Sequence, residues 1–307
     1  MVQKNIIKSK ILIICGATAT GKSDLAVECA KLLNSEVISA DSLYVYRNLN
    51  IGTAKPTMDE MQGIRHHLID VADPNENFTV SDYKKIAQPV IDKLLRNGKT
   101  PIICGGTGFY INSLLYDLSY GNSHENTEIR EKYKQIASTE GNIAVYNDLV
   151  KVDPESASKL HYNDLKRVIR ALEIFYSGTK KSDIKDDYTP KYEYNAYAID
   201  YPREVLYNRI NLRVDKMLKK GLIKEVENLL LNGVSKTSQC MQGIGYKEVL
   251  DYLDKKIDLD ELSELIKLNT RHYAKRQITF FKKLERIKYL LPEQTKILAQ
   301  NIVKDYL

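Results

Sequence analysis

Gly16-Ala17-Thr18-Ala19-Thr20-Gly21-Lys22-Ser23 follows the apolar run Ile11-Leu12-Ile13-Ile14 and opens a segment, residues 24–33, with helical periodicity. A buried strand, a glycine-bearing loop and a helix in that order turn the pattern G-x-x-x-x-G-K-S into a phosphate site. Gly16 and Gly21 let the backbone curl so that successive N–H groups face anionic oxygens. The helix N-terminus adds partial positive charge. Lys22 supplies a full charge, and the Ser23 hydroxyl is of the type that holds Mg²⁺. The motif predicts that a chain of phosphates is bound and leaves open what is done with it.

Outward from this loop the pattern repeats. Glu36-Val37-Ile38-Ser39 reads as a strand ending at Ala40-Asp41-Ser42, and His67-Leu68-Ile69-Asp70-Val71 as another. Residues 79–96 read as a helix capped by Thr79 or Ser81 and closed by Asn97-Gly98. Pro101-Ile102-Ile103-Cys104 is a further strand, ending in Gly105-Gly106-Thr107-Gly108 before a helix over 109–118. This grammar predicts an α/β fold, a P-loop NTPase-like parallel sheet flanked by helices. Ligands of such sheets gather at the carboxyl ends of the strands, where the loop, Asp41 and Thr107 all fall.

At Tyr120 the grammar changes. A polar break (residues 121–126) precedes a helical stretch to about residue 178, then a Lys-, Asp- and Tyr-rich loop to 195. A strand is expected at 196–200, and one long helix or two over 204–232. A further helix over 259–281 has Asp258 as its cap and Glu261 at capping-box spacing. The expected organisation is a core of residues 1–119 and 196–307, with a helical C-terminal part, interrupted by an all-helical lobe at 120–195.

The 307-residue chain has 28% charged and 43% hydrophobic residues, ordinary for a soluble globular protein. No apolar run is long enough to span a membrane, and the one before the phosphate loop is too short for a signal peptide. A cytoplasmic protein, expected as a monomer, is the reading. The four cysteines lack metal-finger spacing and read as buried reduced thiols. A net charge of +6 permits a nucleic-acid partner without requiring one.

Beyond the loop, three features can carry chemistry. Asp41 ends a strand beside the phosphate loop, where a carboxylate can bind a metal, orient a hydroxyl or take a proton, or merely cap a turn. Thr107 sits among glycines that permit close backbone approach, or in an ordinary βα turn. Lys166-Arg167 with Arg170, Arg209 with Arg213, and Arg271 to Arg276 are cationic helical stretches suited to phosphate backbones, or to solvated faces. His66-His67 would point to opposite faces of a strand, which argues against a shared metal and for a structural role.

Taken in order, the blocks Ile38-Ser39-Ala40-Asp41-Ser42-Leu43-Tyr44-Val45-Tyr46-Arg47, Asn50-Ile51-Gly52-Thr53-Ala54-Lys55-Pro56, Gly105-Gly106-Thr107-Gly108-Phe109-Tyr110, Gly243-Ile244-Gly245-Tyr246-Lys247-Glu248 and Tyr273-Ala274-Lys275-Arg276-Gln277 resemble the tRNA dimethylallyltransferase (tRNA isopentenyltransferase) family of bacterial type. The resemblance spans residues 11–284. It implies transfer of a dimethylallyl group from dimethylallyl diphosphate to N6 of the adenosine immediately 3′ of the anticodon, in tRNAs reading codons that begin with U, assisted by Mg²⁺. Residues 16–23 would then hold a diphosphate leaving group, with Ser23 on the metal. Asp41, Thr107 and Arg213 match the family's catalytic positions. By the same resemblance tRNA contacts fall on Asp41, Ser42, Leu43, Tyr44, Thr107, Arg130, Lys166, Arg167, Val168, Ile169, Arg170, Gln242, Gly243, Ile244, Gly245, Tyr246 and Lys247.

The chain departs from the family's usual pattern at Ala17, where Pro is common, and at Ser23, where Thr is common and the hydroxyl is kept. Residues 122–127 lack a proline-bearing pattern. The cysteine-bearing zinc-finger extension of eukaryotic relatives is not expected, in keeping with the bacterial type. Two other readings stand beside this one. An adenylate isopentenyltransferase would share the loop and the aspartate without needing the basic helices. A P-loop phosphotransferase is what the loop by itself suggests.

Overall fold

The structure, a computed structural model, describes residues 9–119 and 126–307. Tyr120 and residues 121–125 of the polar break lie outside it, as do residues 1–8. Two compact units are present: residues 9–115 with 190–307, and Tyr116–Thr189 less its undescribed part.

The first unit includes β1 (Lys10–Cys15), whose last five residues are all buried. A continuous apolar run of this kind is what a strand covered on both faces requires. It is followed by α1 (Lys22–Leu32), β2 (Val37–Ser39), the short α2 (Met58–Met61), β3 (His66–His67), α3 (Val80–Arg96), β4 (Ile102–Gly105) and α4 (Gly108–Leu115). Thr79 and Asp82 close a capping box at the head of α3, and Tyr83, Ala87, Ile91 and Leu94 bury one stripe of it.

In the second unit lie α5 (Thr127–Glu140), α6 (Asn142–Val152), α7 (Pro154–Ser158) and α8 (Leu165–Tyr176). Their core holds Tyr133, Val145, Leu149, Val168, Ile169 and Leu172. Glu173 is buried with them. It accepts the Asn126 N–H at 3.1 Å and pairs with Arg130 at 2.8 Å and Arg170 at 3.2 Å.

The chain then returns to the first unit as β5 (Glu193–Ile199), α9 (Arg203–Lys219), α10 (Leu222–Leu231), α11 (Tyr246–Leu253), α12 (Leu259–Phe281), β6 (Ile287–Leu290) and α13 (Thr295–Tyr306). The strand order is β3-β2-β4-β1-β5-β6, and every pairing is parallel. β1 is thus central, with β4 and β5 beside it. Among the described residues no helix is long and apolar enough to cross a membrane.

The expected α/β class and parallel sheet are present. Several local boundaries need correction. The strand expected at 196–200 begins at Glu193, because Lys10 of β1 pairs with it, so residues 190–195 belong to the core unit. Of the second candidate strand, His67 to Val71, only His67 lies in β3, which begins one residue earlier, and Leu68 and Asp70 take positive φ. Residues 204–232 form two helices, because Gly221 adopts a left-handed conformation between them. The α12 capping box of Asp258 and Glu261 is as expected. All four cysteines are buried and free.

Candidate active site

The phosphate loop leaves β1 through Gly16 (φ 124°) and enters α1 through Gly21 (φ 85°), both conformations that a side chain opposes. The Thr20 hydroxyl donates to Ala17 O at 2.9 Å, and the Lys22 ammonium donates to the same oxygen at 3.2 Å. Burial pushes the Lys22 ammonium below the ordinary lysine value. Arg213 acts in the same direction, and Asp41 against it. Two cations, Lys22 and Arg213, therefore stand close enough to interact at the phosphate loop.

Asp41 follows β2. Its Oδ1 accepts the Leu43 N–H at 3.0 Å, which holds the carboxylate at the head of the turn. Beside it the Thr107 N–H donates to Ala40 O, and the Thr107 hydroxyl accepts the Ser42 N–H, each at 3.0 Å. The two strand ends approach so closely that a Cβ on Gly105 would lie 2.1 Å from Ala40 O. Glycine is required there by contact.

Gln277 on α12 ties the phosphate loop to the Gly106 turn. Its Oε1 accepts the Thr18 N–H at 2.9 Å and its Nε2 donates to Gly106 O at 3.0 Å. One turn earlier, burial pushes the Tyr273 phenol up to about 12, with the charge of Asp41 adding to the effect.

Arg213 on α9 donates from Nη2 to Thr53 O at 2.8 Å. The Tyr44 hydroxyl donates to Ala54 O at 2.9 Å in the same loop. Arg213 borders two cavities. The smaller, about 190 Å³, is walled by Gly21, Lys22, Ser23, Asp24, Tyr44 and His66, among others. The larger, about 340 Å³, is walled by Asp41, Leu43, Met217, Ile244 and Ile266, with Tyr273 and Arg276 at its polar side. A compartment in which Lys22 and Arg213 face the carboxylates Asp24 and Glu60, next to a mainly apolar one bearing Asp41, suits a ligand with a metal-bound anionic head and a hydrocarbon tail.

Residues 44–284 match the family model described as IPP transferase. The chain belongs to the IPP transferase family. It is 46% identical to a tRNA dimethylallyltransferase of Acetivibrio thermocellus over 91% of each chain. It is 47% identical to the one of Caldanaerobacter subterraneus, over 95% of this chain and 96% of the relative. Among solved structures, the full-length tRNA isopentenylpyrophosphate transferase of Bacillus halodurans is 37% identical, with a TM-score of 0.71 over 97% of both chains. A eukaryotic dimethylallyltransferase acting on tRNA is 33% identical, with a TM-score of 0.81 over 97% of this chain and 77% of the other.

Within this family member, Gly16, Ala17 and Thr20 of the expected loop line neither cavity, and other residues expected at the site fall into three groups. Asp41, Ser42, Leu43, Gln242, Gly243, Ile244 and Gly245 share the larger cavity, as do Thr18 of the loop and Arg213. Ala19, Gly21, Lys22, Ser23 and Tyr44 line the smaller one. Thr107 lines neither, and its hydroxyl accepts the Ser42 N–H.

Of the expected tRNA contacts, Val168, Ile169 and Tyr246 have buried side chains. Val168 and Ile169 fill the core of the helical unit, and Tyr246 is fully buried with its hydroxyl donated to Glu225 at 2.8 Å. Arg130 and Arg170 spend charge on Glu173, whereas Lys166, Arg167 and Lys247 are exposed. His67 pairs with Glu36 at 2.7 Å while His66 faces the smaller cavity, so the adjacent histidines do diverge. The motifs did not single out Thr53, Glu225 or the double role of Gln277. The signal for Gln277 was a buried amide on an otherwise apolar stripe of α12.

Mg²⁺ prefers oxygen donors and keeps several waters, binding through few protein groups and substrate phosphates. Among the described residues no cluster of three or more His, Cys, Asp or Glu could hold a metal. The smaller cavity nevertheless offers the Ser23 hydroxyl, Asp24 and Glu60 at its wall. That sparse oxygen set fits a hard divalent cation that would arrive with a diphosphate.

Proposed function

We propose that this chain transfers a dimethylallyl group from dimethylallyl diphosphate to N6 of the adenosine immediately 3′ of the anticodon in tRNAs reading codons that begin with U, releasing diphosphate. The observation that carries this reading is Arg213, which borders both the lysine-lined cavity and the cavity holding Asp41. A diphosphate against Lys22 and Arg213 would place its allylic tail toward Leu43, Met217 and Ile244. The names of the relatives support the same activity.

In the reaction the C1–O bond to diphosphate breaks and a C1–N6 bond forms. An allylic cation is delocalised, so the main demand is on charge developing at the leaving oxygen. Lys22, loop N–H groups and Arg213 meet it from fixed positions. Mg²⁺ on Ser23, when bound, supplies further positive charge to the diphosphate. The adenine amine is a weak nucleophile because its lone pair is drawn into the ring. Asp41 takes its proton as the new bond forms. The base must leave its stack to reach Asp41.

Incubating the protein with labelled dimethylallyl diphosphate, Mg²⁺, unmodified tRNA and competing AMP tests the proposal. Label is expected in tRNA. Label in AMP alone would make it an adenylate isopentenyltransferase, and loss of a phosphoryl group to an acceptor would make it a phosphotransferase.

For the tRNA-binding charge of the helical unit, Lys166 and Arg167 are exposed candidates, Arg167 pairing with the Asp164 carboxylate at 3.3 Å. Each tRNA phosphate no longer neutralised should reduce the slope of log affinity against log salt by about 0.7 to 0.9. Replacing both with Ala is expected to weaken tRNA binding and flatten that slope by about 1.5. An unchanged slope in a filter-binding salt series would make this face merely solvated.

A further inference from the structure

Glu225 of α10 accepts three consecutive backbone N–H groups: Asn50 at 2.9 Å, Ile51 at 2.7 Å and Gly52 at 3.0 Å. The buried Tyr246 hydroxyl donates to the same carboxylate at 2.8 Å. Four donors converge on one carboxylate at a loop that has no regular secondary structure of its own. Charge-assisted bonds of this kind are about twice as strong as neutral ones. The packing is equally close: a Cβ on Gly52 would lie 2.7 Å from the Tyr246 ring and 2.8 Å from Leu222.

The anchored loop does not end at Gly52. Its next carbonyl, Thr53 O, accepts from Arg213, and Ala54 O accepts from Tyr44. Within the loop, Lys55 N–H donates to Asn50 O and Ala54 N–H to Ile51 O, each at 3.0 Å. The segment therefore moves as one piece. Wherever Glu225 holds residues 50–52, Thr53 O follows, and with it the guanidinium between the two cavities.

We infer that Glu225 is a positioning residue for Arg213, acting through the loop of residues 50–54. The inference rests on the reading of Arg213 as the cation that meets the departing diphosphate. Glu225 lines neither cavity, so its effect must pass through the loop. A glutamine cannot reproduce it, because its amide nitrogen would face N–H donors.

The test is a double-mutant cycle on the full chain, reading kcat and KM for dimethylallyl diphosphate with unmodified tRNA. Arg213→Ala alone is expected to reduce kcat strongly. Glu225→Gln is expected to reduce it roughly 10- to 100-fold through misplacement, with the KM for tRNA unchanged. The double variant should be no slower than Arg213→Ala, within about twofold. Losses that multiply would overturn the inference. Wild-type rates for Arg213→Ala would instead remove the reading of Arg213 itself. Should Glu225→Gln fail to fold, Tyr246→Phe keeps the ring against Gly52 and deletes one donor. A smaller loss that vanishes in the Arg213→Ala background supports the inference, and a loss that persists there overturns it.

Discussion

Asp41→Ala lowers transfer by about 100- to 10,000-fold, the range set by loss of a general base. The fall is expected in kcat. Asp41 is absent from the wall of the smaller cavity, so the KM for dimethylallyl diphosphate should stay near its normal value. Its negative charge also favours the charged Lys22, and its loss removes one carboxylate from the neighbourhood of the anion. Inorganic diphosphate should therefore bind as well as before or better. Asp41→Asn sharpens the result, because an amide oxygen still accepts the Leu43 N–H now held by Oδ1. The turn is kept while proton acceptance is lost. Near-normal turnover by the Asn variant would take the base role away from this residue.

Lys22→Met is expected to lower kcat/KM for dimethylallyl diphosphate by about 100- to 1,000-fold, as removal of a preorganised charge at a developing anion does. Its effect on stability has the opposite sign. Burial sets the folded-state pKa of Lys22 below the unfolded one. The charged form is thus disfavoured by folding, a penalty fully present below the lowered pKa and relieved as pH rises through it. Methionine keeps the stem and removes that penalty, so the melting temperature should be unchanged or higher. The bond from Lys22 to Ala17 O is a single hydrogen bond at 3.2 Å and offsets only part of it. A clear drop in melting temperature with retained activity would make Lys22 structural. Activity lost with stability retained is the pattern of a site strained for its ligand.

What is legible without the fold is local. The phosphate loop is legible because Gly16 and Gly21 serve a curled backbone within eight residues, and φ is positive at both. The α12 cap is legible because Asp258 and Glu261 satisfy each other three residues apart. β6 escapes such reading. It is an edge strand of four residues, Ile287–Leu290, with both central residues exposed, and among the described residues it pairs with β5 alone. The final helix escapes it too, although Leu298, Ala299, Ile302 and Tyr306 recur at helical spacing and pack against α1.

The basic stretch on α8 shows the same division. Its charges are visible in Lys166, Arg167 and Arg170, but the helix turns Val168 and Ile169 inward and sets Arg170 on Glu173. Contiguous residues of a helix face different ways, so a five-residue block cannot be a single surface.

By itself the sequence determined the parallel α/β core, the phosphate loop and the acidic residue beside it, because each depends on periodicity or on spacings within one turn. Tertiary structure alone decided that Gln277 clips Thr18 to Gly106 and that Arg213 stands between two cavities. It also decided that Glu225, 173 residues from Gly52, holds the loop that Arg213 leans on. Those contacts join distant elements whose meeting is set by the packing of helices on the sheet, and no local pattern encodes a distance across it.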